Sequence, residues 1–559
     1  MTRRTTFLSL LVIAAGACGP ATPSSPPPSP ASAGGTGAGD EAPPERPRLV
    51  VSVVFDQLAS HSLEVYLPHL SEDGAIRRAA ERGALHRRVA YGYAGTYTAA
   101  GHASIYTGAT PVESGVFSNK LWDAERGEER AIVDDGEHAV HGVDGAFGSP
   151  SVLRAETVAD VLDRGSEDAV VASVSYKDRG AIFAGGRSPD AALWYDERLP
   201  GFTSSTYYAD APPEWLVAFR KDHPLDDLLE PWTLSVPEQE LEQWLGPDEA
   251  PGEGDWHGFG TVFPHDPSKS DAPYSVLRTT PRSTEYLLEL AGEMVAELGM
   301  GQDDVTDLLA ISISSTDYNG HVFGPHSWEY ADDLIRSDRA LGAFLEALER
   351  EHGPIAVLIT SDHGVAPLPE HDGGESRRIY ADDLAEQLDT ALDEELGEGD
   401  WIAAYVQPFV YLTPDAREDG TRERVVAAAT EFLERREGIE RALDAADAAA
   451  LRESDDPVRR LAGFSIPDDA PGDLFVVPAR GWVVDEGMPR GYGTSHGTPW
   501  EYDREVPVLL WGPGVEPLET DEALEQSRVA ATLSALLGIE PPEGAPDEAL
   551  PGAPAVRER

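Results

Sequence analysis

From residue 48 onward the chain alternates between two hydrophobic patterns. Short, continuous apolar runs rich in Val, Ile and Leu occupy residues 49–55 (LVVSVVF), 169–174, 308–313, 355–359 and 506–511. Runs this short, apolar at successive positions rather than at every second one, predict strands buried on both faces. Between them, apolar residues recur every three or four positions over 283–298, 330–349, 422–434 and 528–537. That is the spacing of helices that bury one side. Strand and helix in alternation predict an α/β fold, a largely parallel central sheet flanked by helices, with no short-period repeat.

Two stretches depart from the pattern. Residues 200–275 are rich in Pro, Asp and Glu and carry Trp215, Trp232, Trp244 and Trp256. They predict a cap-like insertion packed on the core, which either covers a site or simply buries its aromatic rings. Residues 541–559, rich in Pro, Glu and Ala, predict a peripheral tail. The catalytic body is therefore expected over 48–540.

The opening residues follow a different logic. Arg3 and Arg4 precede an apolar run over 7–15 that is too short to span a bilayer. This is the pattern of an export signal, expected over 1–17. It ends in Ala15-Gly16-Ala17-Cys18, and Cys18 is the sole cysteine, so no intrachain disulfide forms. A small-residue run ending in Cys is similar to the lipobox of bacterial lipoproteins, where the thiol carries lipid. Ala15 stands where that motif usually has Leu, and an ordinary cut near Ala17 is the other reading. Residues 18–47, dominated by Pro, Ser, Ala and Gly, predict a disordered tether. The expectation is an exported protein, periplasmic or anchored to the outer membrane through Cys18.

Charge narrows the partners. Acidic residues number 100 against 43 basic ones in 559, a formal charge of -57. Such a chain repels nucleic acid and anionic membrane surfaces, leaving a lipid at Cys18 as the only expected membrane link. The charge fits a heavily solvated surface, and equally a salt-adapted habitat. If the substrate is an anion, metals or basic side chains must supply local positive charge.

Candidate chemistry lies at the strand ends. The run at 49–55 ends at Asp56. The run at 308–313 leads to Asp317 and His321, and that at 355–359 leads to Asp362-His363. Ligands of open α/β sheets bind beyond the carboxyl ends of the strands. Three strands thus deliver carboxylates and imidazoles to one edge, and His496 adds another from a Gly-rich loop. Carboxylate with neutral imidazole suits zinc, although manganese or iron could occupy such a set. Taken singly, an Asp after a strand is usually a helix cap, and most of the 15 histidines are structural or solvent-exposed.

As an ordered set these motifs resemble the alkaline phosphatase superfamily. Asp56, Thr98 in Thr98-Ala-Ala-Gly-His102, Asp317-Tyr-Asn-Gly-His321, Asp362-His363 and His496 match its seven-residue bimetal set in order. The stretches from Gly101 to Gly108 and from Gly320 to Glu329 are similar to the phosphate-irrepressible branch, which uses a Thr nucleophile. So is the order Asn119, then Lys177-Asp178-Arg179. The likeness runs from about Arg48 to Ile539. It implies one zinc held by Asp317, His321 and His496, and a second held by Asp56, Asp362, His363 and the Thr98 oxygen. Thr98 would then be the nucleophile, activated by coordination and placed at the start of a helix whose amino end favours negative charge. A phosphothreonine at Thr98 would be hydrolysed by water.

Lys177 and Arg179 would meet the phosphoryl group. Two residues apart in an extended segment they share a face, and Asn119 would add an amide donor. The other reading makes Lys177-Asp178-Arg179 a surface loop paired with the many acids. His102 is expected to be structural, and His326 and His352 to have solvent or packing roles. Two adjacent cations match the dianion of a phosphate monoester, whereas the second substituent of a diester would crowd them. The expectation is a monomeric, broad phosphomonoesterase acting on small phosphorylated substrates. A nucleotide pyrophosphatase/phosphodiesterase with the same metals is the alternative. A non-catalytic binding lipoprotein would be expected to have lost a ligand or the nucleophile, and none is missing. The Cys/Ser-x-Pro-x-Arg motif of sulfatases does not surround Thr98.

Overall fold

The computed structural model describes residues 46–371, 377–485 and 489–555. The expected signal, the lipid-bearing Cys18 and almost all of the tether lie outside the described residues. The described ones fall within the unit Pro44–Arg559. Its principal sheet is built from β1 (Leu49–Phe55), β2 (Ala84–Ala90), β3 (Val171–Ser175), β4 (Ala191–Asp196), β5 (Gly201–Thr203), β6 (Asp307–Ile313), β7 (Ala356–Thr360), β8 (Glu505–Trp511), β9 (Leu518–Thr520) and β10 (Leu524–Glu525). The spatial order is β9-β2-β8-β7-β1-β6-β3-β4-β5, with β10 also paired to β2.

Why LVVSVVF lies near the middle of this sheet is visible in its side chains. Leu49, Val51, Val53 and Phe55 enter the core on one face, and Val50 and Val54 enter the core on the other. A strand covered on both sides cannot afford polar alternation, which is why the run reads as continuously apolar. β7, β1, β6, β3 and β4 pair in parallel. β8, however, runs antiparallel to both β7 and β2, and β5 runs antiparallel to β4. The parallel sheet is thus the centre of a mixed one.

A second sheet was not foreseen. Between β7 and β8 the chain builds four antiparallel strands, Ile402–Val406, Phe409–Leu412, Ile439–Asp444 and Leu474–Pro478, paired antiparallel. Their side chains alternate with period two. Tyr405, Val410, Leu412, Leu474 and Val476 pack under helices Ala381–Leu396 and Arg422–Arg435. Val406, Phe409, Tyr411, Phe475 and Val477 pack against Phe117 and Ile182 of the main body. The sequence pattern had revealed only the second of those helices.

The segment 200–275 docks on the flank of the principal sheet. Helices Glu214–Asp222 and Glu238–Leu245 send Leu216, Phe219 and Leu241 into the same core as Val51 and Phe55. Trp232, Trp256 and Phe259 gather around Tyr318, Val322 and Phe323. The tail is less peripheral than its composition implies. Leu550 is buried with Val50 and Val54, and its N–H donates to Thr532 Oγ1 at 2.9 Å.

Candidate active site

Asp56 follows β1, and its N–H is held by the Ile313 carbonyl at 2.9 Å, tying the ends of β1 and β6 together. Asp317 and His321 stand one turn apart on α1 (Ser315–Phe323), which follows β6, so both face the same way. Asp362 and His363 follow β7. Thr98 opens α2 (Thr98–Thr107), where a developing negative charge meets the positive end of the helix dipole. Only glycine fits at Gly101 on this helix, because a Cβ there would sit 2.1 Å from the Asp362 carbonyl oxygen. That close approach is what brings Thr98 against the Asp362-His363 loop.

The carboxylates and imidazoles converge as two buried triplets, Asp317/His321/His496 and Asp56/Asp362/His363, with ligand atoms in each within 4.8 Å of one another. The histidine tautomers follow from their partners. The Nδ1 atoms of His321, His363 and His496 face the backbone carbonyls of Thr494, Gly364 and Thr96 at 2.9, 3.0 and 2.7 Å. A carbonyl only accepts, so each Nδ1 carries the proton and each Nε2 presents a lone pair. Burial also keeps His363 and His496 below their ordinary pKa, in the neutral form that binds metal.

The Nε2 lone pairs point at carboxylates. His321 Nε2 lies 3.3 Å and His496 Nε2 3.8 Å from Asp317 Oδ1, and His363 Nε2 lies 3.4 Å from Asp56 Oδ1. Three carboxylates are thus packed together out of water. Burial, Asp317 and Asp362 push the Asp56 carboxyl well above the carboxylate range, against the pull of Lys177. Burial of Asp317 acts the same way but is outweighed by Lys177 and His321, which hold it well below that range. Buried carboxylates facing lone pairs from preset imidazoles make a donor set that fits divalent cations.

Lys177 reaches into the centre. Its Nζ lies 2.7 Å from Asp56 Oδ2 and donates to Asp317 Oδ2 at 2.5 Å and to Thr98 Oγ1 at 3.2 Å. Burial works to discharge this ammonium, but Asp317 and Asp56 keep its pKa above the ordinary range. The extended geometry expected for Lys177 and Arg179 is not what brings them together. Lys177 caps α3 (Asp178–Gly185) and Arg179 lies in its first turn. Both nevertheless line one cavity of about 510 Å³ with Thr98, Asn119, Asp317 and His496. Asn119 Oδ1 accepts the Ala99 N–H at 2.9 Å. This fixes the amide so that its NH₂ is the donor left over.

The structure therefore brings together all ten residues expected within the described chain: Asp56, Thr98, Asn119, Lys177, Arg179, Asp317, His321, Asp362, His363 and His496. It also adds to them. His102, expected to be structural, is tied to the site, its Nδ1 2.9 Å from the Thr98 carbonyl and 3.1 Å from Asp362 Oδ2. His326, by contrast, stands in a separate ring cluster with His61 and His371. Tyr318 and Arg278 line the cavity, the guanidinium 4.7 Å from the Tyr318 ring and donating to its hydroxyl at 3.1 Å. Trp256 stacks on the same tyrosine, so the 200–275 segment props the cavity wall from behind. The opposite wall comes from the second sheet and its flanks: Ala381, Asp382, Tyr405, Val406, Gln407, Val484, Asp485 and Arg490.

A sheet delivering two metal-suited triplets and a helix-borne threonine to one edge defines a hydrolase of the alkaline phosphatase superfamily. The chain belongs to the type I phosphodiesterase / nucleotide pyrophosphatase family, whose model matches residues 50–499. It is 29% identical over 513 residues to alkaline phosphatase PhoV of Synechococcus elongatus, covering 89% of this chain and 91% of that protein. It is also 29% identical to alkaline phosphatase PafA of Elizabethkingia meningoseptica, over 89% of this chain and 93% of that one. The crystal structure of wild-type alkaline phosphatase PafA superposes with a TM-score of 0.82 at 27% identity, covering 91% of this chain and 99% of that one.

Proposed function

We propose that the protein is a two-zinc phosphate monoesterase that works through a phosphothreonine at Thr98. One ion would be held by Asp317, His321 and His496, the other by Asp56, Asp362, His363 and the Thr98 oxygen. When bound, such ions supply Lewis-acid charge for the attacking and leaving oxygens and acidify a coordinated hydroxyl. The chain's own residues do the rest. Thr98 Oγ1 attacks phosphorus, the bond to the leaving alcohol breaks, and water then releases phosphate from Thr98. Lys177 Nζ favours the deprotonated Thr98 oxygen by donating to it, and Arg179 and the Asn119 NH₂ hold non-bridging oxygens.

The observation that carries the monoester reading is Lys177 Nζ at 3.2 Å from Thr98 Oγ1, with Arg179 and Asn119 lining the same cavity. It supports a reading in which two cations meet the dianion of the substrate, in a chain of formal charge -57. The family model is named for diester cleavage while the relatives described above are named alkaline phosphatases, so the choice between ester classes needs an assay. The zinc-loaded enzyme is expected to show a far higher kcat/KM for an aryl phosphate monoester than for the matching diester. A diester preference would move the assignment to a phosphodiesterase and leave Lys177 and Arg179 without their role.

Export and anchoring through Cys18 belong to the same proposal. Among the described residues no helix is long and apolar enough to cross a membrane. Cys18→Ala should release the enzyme from the membrane fraction of expressing cells. Retention there would remove the lipid anchor from the proposal.

A further inference from the structure

Gln57 follows Asp56 directly and is fully buried, with φ 71° in the left-handed region. Non-glycine residues seldom adopt that conformation, and when they do the surroundings must enforce it. Here the consequence is visible. The Gln57 backbone N–H turns toward Asp362 and donates to Oδ1 at 3.2 Å, while the side-chain Nε2 donates to Asp317 Oδ1 at 3.1 Å. A carboxylate can only accept, so the amide orientation is fixed with NH₂ toward Asp317. One residue therefore holds one carboxylate from each triplet, the first with its main chain and the second with its side chain.

The surroundings are shaped for this reach. A Cβ on Gly320 would fall 1.6 Å from Gln57 Oε1, so the glycine of Asp317-Tyr-Asn-Gly-His321 is what lets the amide lie across α1. Among the described residues nothing hydrogen-bonds that Oε1, so the donor end, not the carbonyl end, accounts for the contact. Its target is also specific. Asp317 Oδ1 is the oxygen facing His321 and His496, while Oδ2 is taken by Lys177. Neighbouring anchors keep the turn in place, with Leu58 N–H donating to Ser361 Oγ at 2.8 Å and Tyr330 hydroxyl donating to the Gln57 carbonyl at 3.4 Å.

We propose that Gln57 is a positioning residue that fixes the Asp317 carboxylate relative to Asp362 and so sets the register between the two metal groups. The inference rests on the two-metal reading above. It acts through ligands, not on the substrate, and outer contacts of this kind typically change metal affinity 10- to 100-fold.

Two variants separate positioning from backbone strain. Gln57→Ala removes the amide and keeps a side chain at positive φ, whereas Gln57→Gly removes the amide and relieves the strain. Zinc affinity is measured by chelator competition on the full chain, together with the thermal midpoint. Both variants should bind one of the two ions about 10- to 100-fold more weakly than wild type, with the second ion changed far less. The glycine variant should match or exceed the alanine variant in midpoint without regaining the lost affinity. Recovery of wild-type zinc binding in Gln57→Gly would show that strain alone matters and overturn the proposal. So would unchanged affinity in both variants, or equal weakening of both ions. Wild type holding fewer than two ions would instead remove the two-metal reading, and this inference with it.

Discussion

The floor and the far wall of the cavity are built on opposite principles. The floor consists of side chains at the ends of β1, β6 and β7, at the start of α2 and in the loop of His496, and it is buried. The imidazoles of His321, His363 and His496 are oriented by backbone carbonyls, and Asp317 and Asp362 are gripped through Gln57. The far wall, which includes Ala381, Tyr405 and Arg490, comes from a separate antiparallel sheet and its flanking segments, and its Asp382 and Arg490 are exposed. Arg490 pairs with Asp383 at 2.9 Å, with about half of each side chain exposed. Exposed pairs of this kind contribute little, whereas a buried group that loses its partner costs several kcal/mol. The floor should therefore be intolerant of change, and the wall free to vary and adjust preference.

The largest break in that contrast should come from the proposed nucleophile. Thr98→Ala deletes the hydroxyl proposed to attack but leaves both triplets in place. We expect kcat to fall on the order of 10⁴-fold or more with two zinc ions per chain retained. Wild-type-like turnover would remove Thr98 from the chemistry, and loss of both ions would show that the hydroxyl is needed for the metals.

Next come the cations. Replacing Lys177 and Arg179 together by Ala should lower monoester kcat/KM by roughly 10²-fold or more, the scale of losing preorganised donors to a transition-state oxyanion. Diester hydrolysis should fall at least about tenfold less, because a single negative charge relies on them less. Equal losses on the two substrates would undo the reason for choosing monoesters.

A smaller effect tests how tightly the floor is assembled. Gly101→Ala would place a methyl group 2.1 Å from the Asp362 carbonyl oxygen. Overpacking costs about 1–3 kcal/mol, and here it would push α2 away from the loop that carries Asp362 and His363. The urea midpoint and kcat should fall together. A variant with native midpoint and native kcat would mean that the helix and loop are not in rigid contact.

This contrast also explains what the sequence could convey. Asp56, Asp317, Asp362 and His363 were legible because each stands just beyond an apolar run and their order matches one family. Lys177 and Arg179 line one cavity but not through the expected geometry, since a Lys-x-Arg triplet reads the same in an extended segment as at a helix start. Gln57 carries no signal: a Gln after a strand suggests no chemistry until its backbone is seen at φ 71° between Asp362 and Asp317. The second sheet is hidden because strands such as IAAYV and FVYL, joined by a single Gln-Pro, are not the Val- and Ile-rich runs that mark β1, β6 and β7. Nor do polar and apolar positions alternate there, because both faces of this sheet are covered.

The smallest expected effect lies on the wall. Arg490→Ala removes a half-exposed cation that pairs with Asp383 and lies 4.3 Å from the Tyr380 ring. Its loss should change kcat/KM for a small aryl monoester by no more than about fivefold, equivalent to roughly 1 kcal/mol, and mostly through KM. The zinc content should not change, since among the described residues no metal-suited triplet includes a wall residue. A loss approaching that of the Lys177/Arg179 pair would mean that the wall closes onto the phosphoryl group during the reaction. The rigid floor and adjustable wall would then be one cooperative site, and substrate preference could not vary without cost to catalysis.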